Sequence, residues 1–525
     1  MAKGFLKNTV LVGGFTALSR VFGLVREMFQ SRLIGAGVEQ SAFTLAFAIP
    51  NMMRKLFGEG ALTAAFVPVF KGEVEAERME SARRLARAVM TMSLLMLAAV
   101  SALAIGGISA FLHWGAFTDR TVLTLRLTRI LVPYMIFICG AAFGMGVLNA
   151  LGRFAAAALM PCLLNVVWIG ALGALCFLPG LSLHARILWV SAAILFAGLL
   201  QMAFMFWCME RRGMGPRLAF AGWRDEKTKL VWRNMLIGAV GAGAVQINYM
   251  LDQVLGQLAA PWAAGVIGYA ERLMDLPLGI VGVAFGTVLL PTFAGCFAKD
   301  DVEGAREAFL SSADNMLFVM VPAAVGLGLL APDLTRVIYE GKAFDAMATT
   351  RVARAVACYA LGLGFFGLQK SLVPWFQAQK DMKTPLAVSV KMVFLNATLN
   401  ILAVWLLPVE WRHVGLAAST VFCAGVSCVL LAALAHRRNG GMGLGRLVKP
   451  VGRTLIASAA MGAALAAARP WLAGVAASRA QMGVAHNIIL LGALVALGGI
   501  VYFGAHFMMA RSTFKARLRA LRHRR

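Results

Sequence analysis

The sequence predicts an all-α polytopic membrane protein of about 14 transmembrane helices. These form two six-helix lobes, related by a pseudo-two-fold along the membrane normal, and two extra C-terminal helices. Three observations carry this. The 525 residues are 60% hydrophobic and only 14% charged, whereas a soluble chain usually carries about 25% charge. The apolar residues recur in runs of the roughly 20 residues that a membrane-spanning helix needs. The 50 Lys+Arg against 24 Asp+Glu are distributed by side, as topology requires, so the +26 charge marks loops rather than a nucleic-acid partner.

The first two helices are the least regular. Runs at about 8–31 and 40–70 span only if Arg20, Arg26, Glu27, Arg54, Lys55 and Glu59 stand at or within the membrane. Lys3 and Lys7 precede the first run, but Arg20 and Arg26 interrupt it and no small-residue cleavage site follows, so a retained helix is expected rather than a signal peptide. Clear apolar runs then follow at 86–112, 127–149, 156–178, 187–209 and 234–258. Residues 262–296 form a longer, Pro/Gly-interrupted helix, followed by 308–332, 355–378, 385–408, 413–435, 450–468 and 486–510. Alternate loops beginning at the N-terminus hold 31 of the basic residues and the opposite loops 9, placing both termini in the cytoplasm. All eight cysteines lie in apolar stretches without a CxxC and read as small buried hydrophobes.

The chain carries an internal duplication. Pro68 matches Pro291 at an offset of 223, and Glu80-Ser81-Ala82-Arg83 matches Glu303-Gly304-Ala305-Arg306 at the same offset. Arg126, Arg129 and Tyr134 match Arg351, Arg354 and Tyr359 at 225. The domains are therefore expected at 1–210 (N-lobe), 211–229 (cytoplasmic linker), 230–436 (C-lobe) and 437–525 (the last two helices and a basic tail). Halves of six helices share one orientation, as in parallel-repeat transporters that rock about a central path.

Ten cations remain within or near the membrane, and Arg20, Arg26, Arg54 and Arg272 are the deepest. An Arg at mid-bilayer costs about 2.5–3.5 kcal/mol, so four facing lipid would cost on the order of 10–14 kcal/mol, comparable to a whole protein's net stability. They must face a hydrated cavity or be paired. Asp275 is well spaced to pair with Arg272, but Glu27 is adjacent to Arg26 and such neighbours point about 100° apart on a helix. The pattern is that of a cationic cavity for an anionic substrate, arginine being suited to two-point binding of phosphate oxygens. Gly23, Pro50 and Gly60 beside these cations read as hinge positions. Asn248 and Asp252 share a face of the seventh helix, as Asn396 and Asn400 do on the eleventh. Such oxygens suit Na⁺; interhelical hydrogen bonding is the other reading. With no DxD, HExxH or Walker loop, the sequence offers no catalytic residue and no cofactor site.

At SRVFGLVRE (19–27), AFAIPNMMRKLFGEGALTAAFVPVF (46–70) and GYAERLMDLPLGIVGVAFGTVLLP (268–291), the chain resembles the MurJ (MviN) lipid II flippases of the multidrug/oligosaccharidyl-lipid/polysaccharide exporter superfamily. The resemblance covers essentially the whole chain. It implies a transporter rather than an enzyme: a V-shaped pair of lobes in the bacterial inner membrane, whose cationic cavity takes the pyrophosphate and sugars of lipid II by alternating access. The two extra helices would form a groove for the polyprenyl tail. The family's functional arginines fall on Arg20, Arg26, Arg54 and Arg272, and its acid in the second helix on Glu59. A gating acid at the start of that helix is replaced here by Ser41, and an acid on the eleventh helix by Asn400. The family's Na⁺ positions fall near Asp252, Asn396, Asn400 and Thr420, so Na⁺ or H⁺ coupling, or the membrane potential, is implied as the source of direction. The implied partners are lipid II and membrane lipids, with no nucleic acid; the oligomeric state is left open, a monomer being the expectation. The alternative substrate is another polyprenyl-pyrophosphate-linked oligosaccharide.

Overall fold

A computed structural model describes residues 2–56, 62–178, 180–220, 222, 225–286, 288–477 and 484–509. Among these the chain is helical throughout and contains no strand. Ten segments of the described residues are long and apolar enough to cross a membrane. The helices are α1 (Ala2–Ile34), α2 (Val38–Met53), α3 (Leu62–Glu75), α4 (Met79–Trp114), α5 (Asp119–Leu131), α6 (Tyr134–Ala150), α7 (Phe154–Leu175), α8 (Leu183–Glu210) and α9 (Glu226–Ala259). They continue as α10 (Ala263–Gly286), α11 (Leu289–Phe297), α12 (Val302–Tyr339), α13 (Ala346–Ala378), α14 (Lys383–Leu406), α15 (Val409–Arg438), α16 (Val448–Ala477) and α17 (Val484–Met509).

The run at 40–70 holds α2, a π-helical turn at 54–56 that starts four residues after Pro50, and α3, with 57–61 outside the described residues. One expected single helix is broken. The run at 127–149 lies across α5 and α6, which part at Val132-Pro133 because proline cannot continue the ladder of N–H donors. The interruption expected in 262–296 separates α10 from α11. Polar caps set several other boundaries. Ser182 accepts from the Ala185 N–H at 3.3 Å to start α8, and Asp301 accepts from Gly304 N–H at 2.8 Å to start α12. Each supplies an oxygen to a helix N–H that has no partner within its own helix.

The chain forms two compact units. The first comprises residues 1–265 and 341–345, so α9 packs with α1–α8, chiefly against α2 and α3. Among the described residues it shows two apolar cores. One stacks Phe66 with Phe70 and Phe143; the other gathers Phe43, Tyr134 and Trp168. The second unit comprises 266–340 and 346–525. Its main core closes around fully buried Trp375, which meets the edges of Phe293, Phe297 and Phe309. A smaller core joins Leu330 of α12 to Met461 and Leu465 of α16 and Leu494 and Tyr502 of α17.

Candidate functional site

In the first unit α1 lies along α7, and their interface is polar where it would be expected to be apolar. Arg26 is half-buried, its side chain 12% exposed. Its Nη1 donates to Asn165 Oδ1 at 3.0 Å, and its Nη2 meets Glu27 Oε1 at 2.5 Å. The guanidinium carbon lies 4.4 Å from the centre of the Trp168 ring, within cation–π range. Arg26 is therefore paired with Glu27, contrary to the expectation from helix geometry: the long flexible side chain turns back to reach a neighbour whose Cβ points elsewhere. Its Nε is buried and without a hydrogen-bond partner among the described residues.

Trp168 and Asn165 are the residues that sequence reasoning missed. Their signal is slight, a single amide and a single indole in an apolar run. Trp168 donates to Gln30 Oε1 at 3.1 Å, and Gln30 donates to Gln40 Oε1 at 3.1 Å. Beside Gln40, buried Ser41 accepts at 2.9 Å from the N–H of Gly265 in the first turn of α10. Ser41 thus caps a helix other than its own.

The remaining expected positions divide between the units. Arg20 is exposed on α1. Gly23 leaves α1 unbroken, and a Cβ there would meet nothing closer than Asn165 Nδ2 at 3.9 Å. Pro50 is buried in α2, and Arg54 on the π-helical turn donates through Nε and Nη2 to Asn51 Oδ1 at 3.2 and 3.1 Å. Lys55 stands 5.2 Å from the Tyr249 ring of α9. Glu59 and Gly60 lie outside the described residues. Asp252, buried on α9, accepts from Asn248 Nδ2 at 3.2 Å.

Arg272 is on α10 in the second unit, where it is exposed. One turn further along the same face, Leu276 joins Leu273 and Pro277 in lining an apolar groove of about 360 Å³. Gly326 and Leu330 of α12, Met461 and Leu465 of α16, and Leu494 and Gly499 of α17 line the rest. That volume lies in the usual range of ligand pockets, about 300–1,000 Å³. Also in this unit, Asn400 Nδ2 donates to Asn396 Oδ1 at 2.9 Å and Asn396 Nδ2 to Thr420 Oγ1 at 3.4 Å. The first bond lies within α14 and the second joins α14 to α15, and no cluster of three or more His, Cys, Asp or Glu occurs among the described residues.

Residues 30–484 match a family model described as lipid II flippase MurJ. A probable lipid II flippase MurJ from Rhizobium tropici is 33% identical over 514 residues, covering 96% of this chain and 94% of that one. The lipid II flippase MurJ of Burkholderia cenocepacia is 32% identical over 429 residues, covering 80% and 81%. Among solved structures, a lipid II flippase MurJ in an inward closed conformation superposes with a TM-score of 0.76 at 20% identity, covering 96% and 99%. An inward-facing MATE-family multidrug transporter gives 0.69 at 15% identity, covering 82% and 98%.

Proposed function

The chain belongs to the lipid II flippase MurJ family, a family of membrane transporters and not enzymes, and on that premise we propose that it moves lipid II from the inner to the outer leaflet. The reading is alternating access through a cationic central cavity in which Arg20, Arg26, Arg54 and Arg272 receive the pyrophosphate. The observation that carries it is the arrangement of α10. A cation at Arg272 stands one helical turn from Leu276 in the wall of an apolar groove, so one helix serves both ends of an anionic head joined to an isoprenoid tail. Organic cations, the usual substrates of multidrug exporters, would be repelled by such a site.

In this reading the arginines replace the water around the pyrophosphate with fixed donors, and rocking of the lobes exposes it to the other side. Ser41, as a cap on Gly265, and Pro50, inside α2 four residues before the π-helical turn, are the proposed gating and hinge positions. Gly23 and Gly60 join them on sequence grounds. The membrane potential, or Na⁺ or H⁺ movement, supplies direction; Asp252, Asn396, Asn400 and Thr420 are the positions through which Na⁺ would act. The protein then resides in the inner membrane with both termini cytoplasmic and works as a monomer.

The test is translocation of fluorescent lipid II by the full chain in proteoliposomes. Reversing the charge at Arg26 or Arg54 should abolish it; unchanged transport would refute the mechanism. Competition by another polyprenyl-pyrophosphate-linked sugar separates the two substrate readings. Replacing Na⁺ with choline, and imposing a potential, separates the sources of direction.

A further inference from the structure

We propose that Asn165 and Trp168 of α7 are positioning residues that hold the Arg26 guanidinium in place for the substrate's pyrophosphate. The inference rests on the reading of Arg26 as a substrate contact.

An arginine side chain has four rotatable bonds and loses much freedom when it is fixed. Glu27, its immediate neighbour, offers a carboxylate on which the guanidinium could fold completely. Two groups from α7 oppose that collapse. Asn165 is only 5% exposed, and its orientation is forced. Its Nδ2 donates to the Ser19 carbonyl at 3.1 Å, a group that can only accept, which turns Oδ1 towards Arg26 Nη1 at 3.0 Å. Trp168, 4% exposed, gives the guanidinium a ring face at 4.4 Å. The plane of that ring is itself fixed. Its Nε1 donates to Gln30, and Phe43 and Phe47 meet it nearly perpendicularly, each at 5.7 Å.

The three contacts account for one face, Nη1 and one hydrogen of Nη2. The Nε–H is buried without a partner among the described residues, and desolvating a charged group's donor without satisfying it is unfavourable. A phosphate oxygen that displaced Glu27 from Nη2 would accept there and at Nε, the two-point geometry that arginine favours, while Asn165 and Trp168 keep the guanidinium in place.

Two measurements on the full chain in detergent test this. In the first, arginines are modified with phenylglyoxal and mapped by peptide mass spectrometry, without any ligand. Asn165→Leu and Trp168→Leu should each raise modification of Arg26 at least about threefold, with Arg54 and Arg272 unchanged. Trp168→Phe, which keeps a ring face, should remain near wild type. Unchanged Arg26 reactivity in both leucine variants would overturn the proposal; because the positions are independent, misfolding of one variant leaves the other to decide.

In the second, farnesyl pyrophosphate binding is measured in a double-mutant cycle. Asn165→Leu should weaken binding about tenfold or more in the wild-type background, and add nothing once Arg26→Ala is present. Additive losses would mean that Asn165 acts elsewhere and would overturn the positioning role. If the unaltered chain fails to bind farnesyl pyrophosphate, the functional reading fails, while the modification experiment still decides whether α7 holds Arg26.

Discussion

Filling the groove of the second unit should separate recognition of the tail from recognition of the head. Gly499 of α17 lines that groove, and a Cβ built on it meets no atom within 4 Å. Gly499→Leu therefore enters open space rather than the packed core. A leucine side chain adds about four carbons. If these displace four buried methylenes of an isoprenoid tail, the loss is about 0.8 kcal/mol each, or about 3 kcal/mol, and affinity falls about 100-fold. Farnesyl pyrophosphate and inorganic pyrophosphate, titrated against the purified full chain, are the assay. The first should weaken by about two orders of magnitude while the second is unchanged. Gly170→Leu is the control, since Gly170 is exposed on α7 and also has nothing within 4 Å. Equal weakening of both ligands, or none in either, would refute the groove as a tail site.

Three further expectations concern the scaffold. The Asp381 carboxyl accepts from the N–H groups of Lys383 and Thr384 and pairs with Arg438. The Thr384 bonds first, then Arg438, hold it down to about 2 from the ordinary 3.8. Its contribution to stability is then fully present above about pH 4 and lost as pH falls towards 2; Asp381→Ala should remove this dependence and cost about 0.5–2 kcal/mol in thermal unfolding. Gly35 has φ +81°, and a Cβ there would lie 2.2 Å from the Ala343 carbonyl oxygen. Gly35→Ala should thus lower the melting temperature by the equivalent of at least about 1–3 kcal/mol, and an unchanged melting temperature would contradict this packing. Ser41→Ala orphans the Gly265 N–H at a cost of about 1–3 kcal/mol; hydrogen exchange should accelerate across 263–267, and unaltered exchange would show that the cap is dispensable.

The helical architecture was largely legible because apolar run length is a one-dimensional property. The breaks were less legible. Pro133 lies inside an apolar run that satisfies a length criterion as one helix, and only the structure shows α5 ending before it. The surroundings of Arg26 were illegible for a different reason. Asn165 and Trp168 are 139 and 142 residues distant in sequence, and neither forms a motif with it. Glu27 was set aside because side-chain direction at Cβ is a good guide for short residues and a poor one for arginine. Nothing in the sequence signalled that Ser41 would cap another helix, because a hydroxyl's partner is fixed only by packing.

The polar residues whose exposure to lipid would cost most fall on four helical runs: α1, α2 with α3, α9, and α10 with α11. These same runs carry Arg20, Arg26, Arg54, Asp252 and Arg272. The sequence offset of about 223 relates them in pairs, the first two runs of one half to the first two of the other. Placed in the first two runs of each half, these residues can sit in a bilayer only when turned from lipid. On the proposed reading the substrate path runs along these polar helices, and a charge introduced at exposed Gly170 of α7 should cost insertion about 2.5–3.5 kcal/mol without altering affinity for pyrophosphate. A Gly170→Arg variant that inserts normally yet binds pyrophosphate more tightly would place the path on the wrong side of α7.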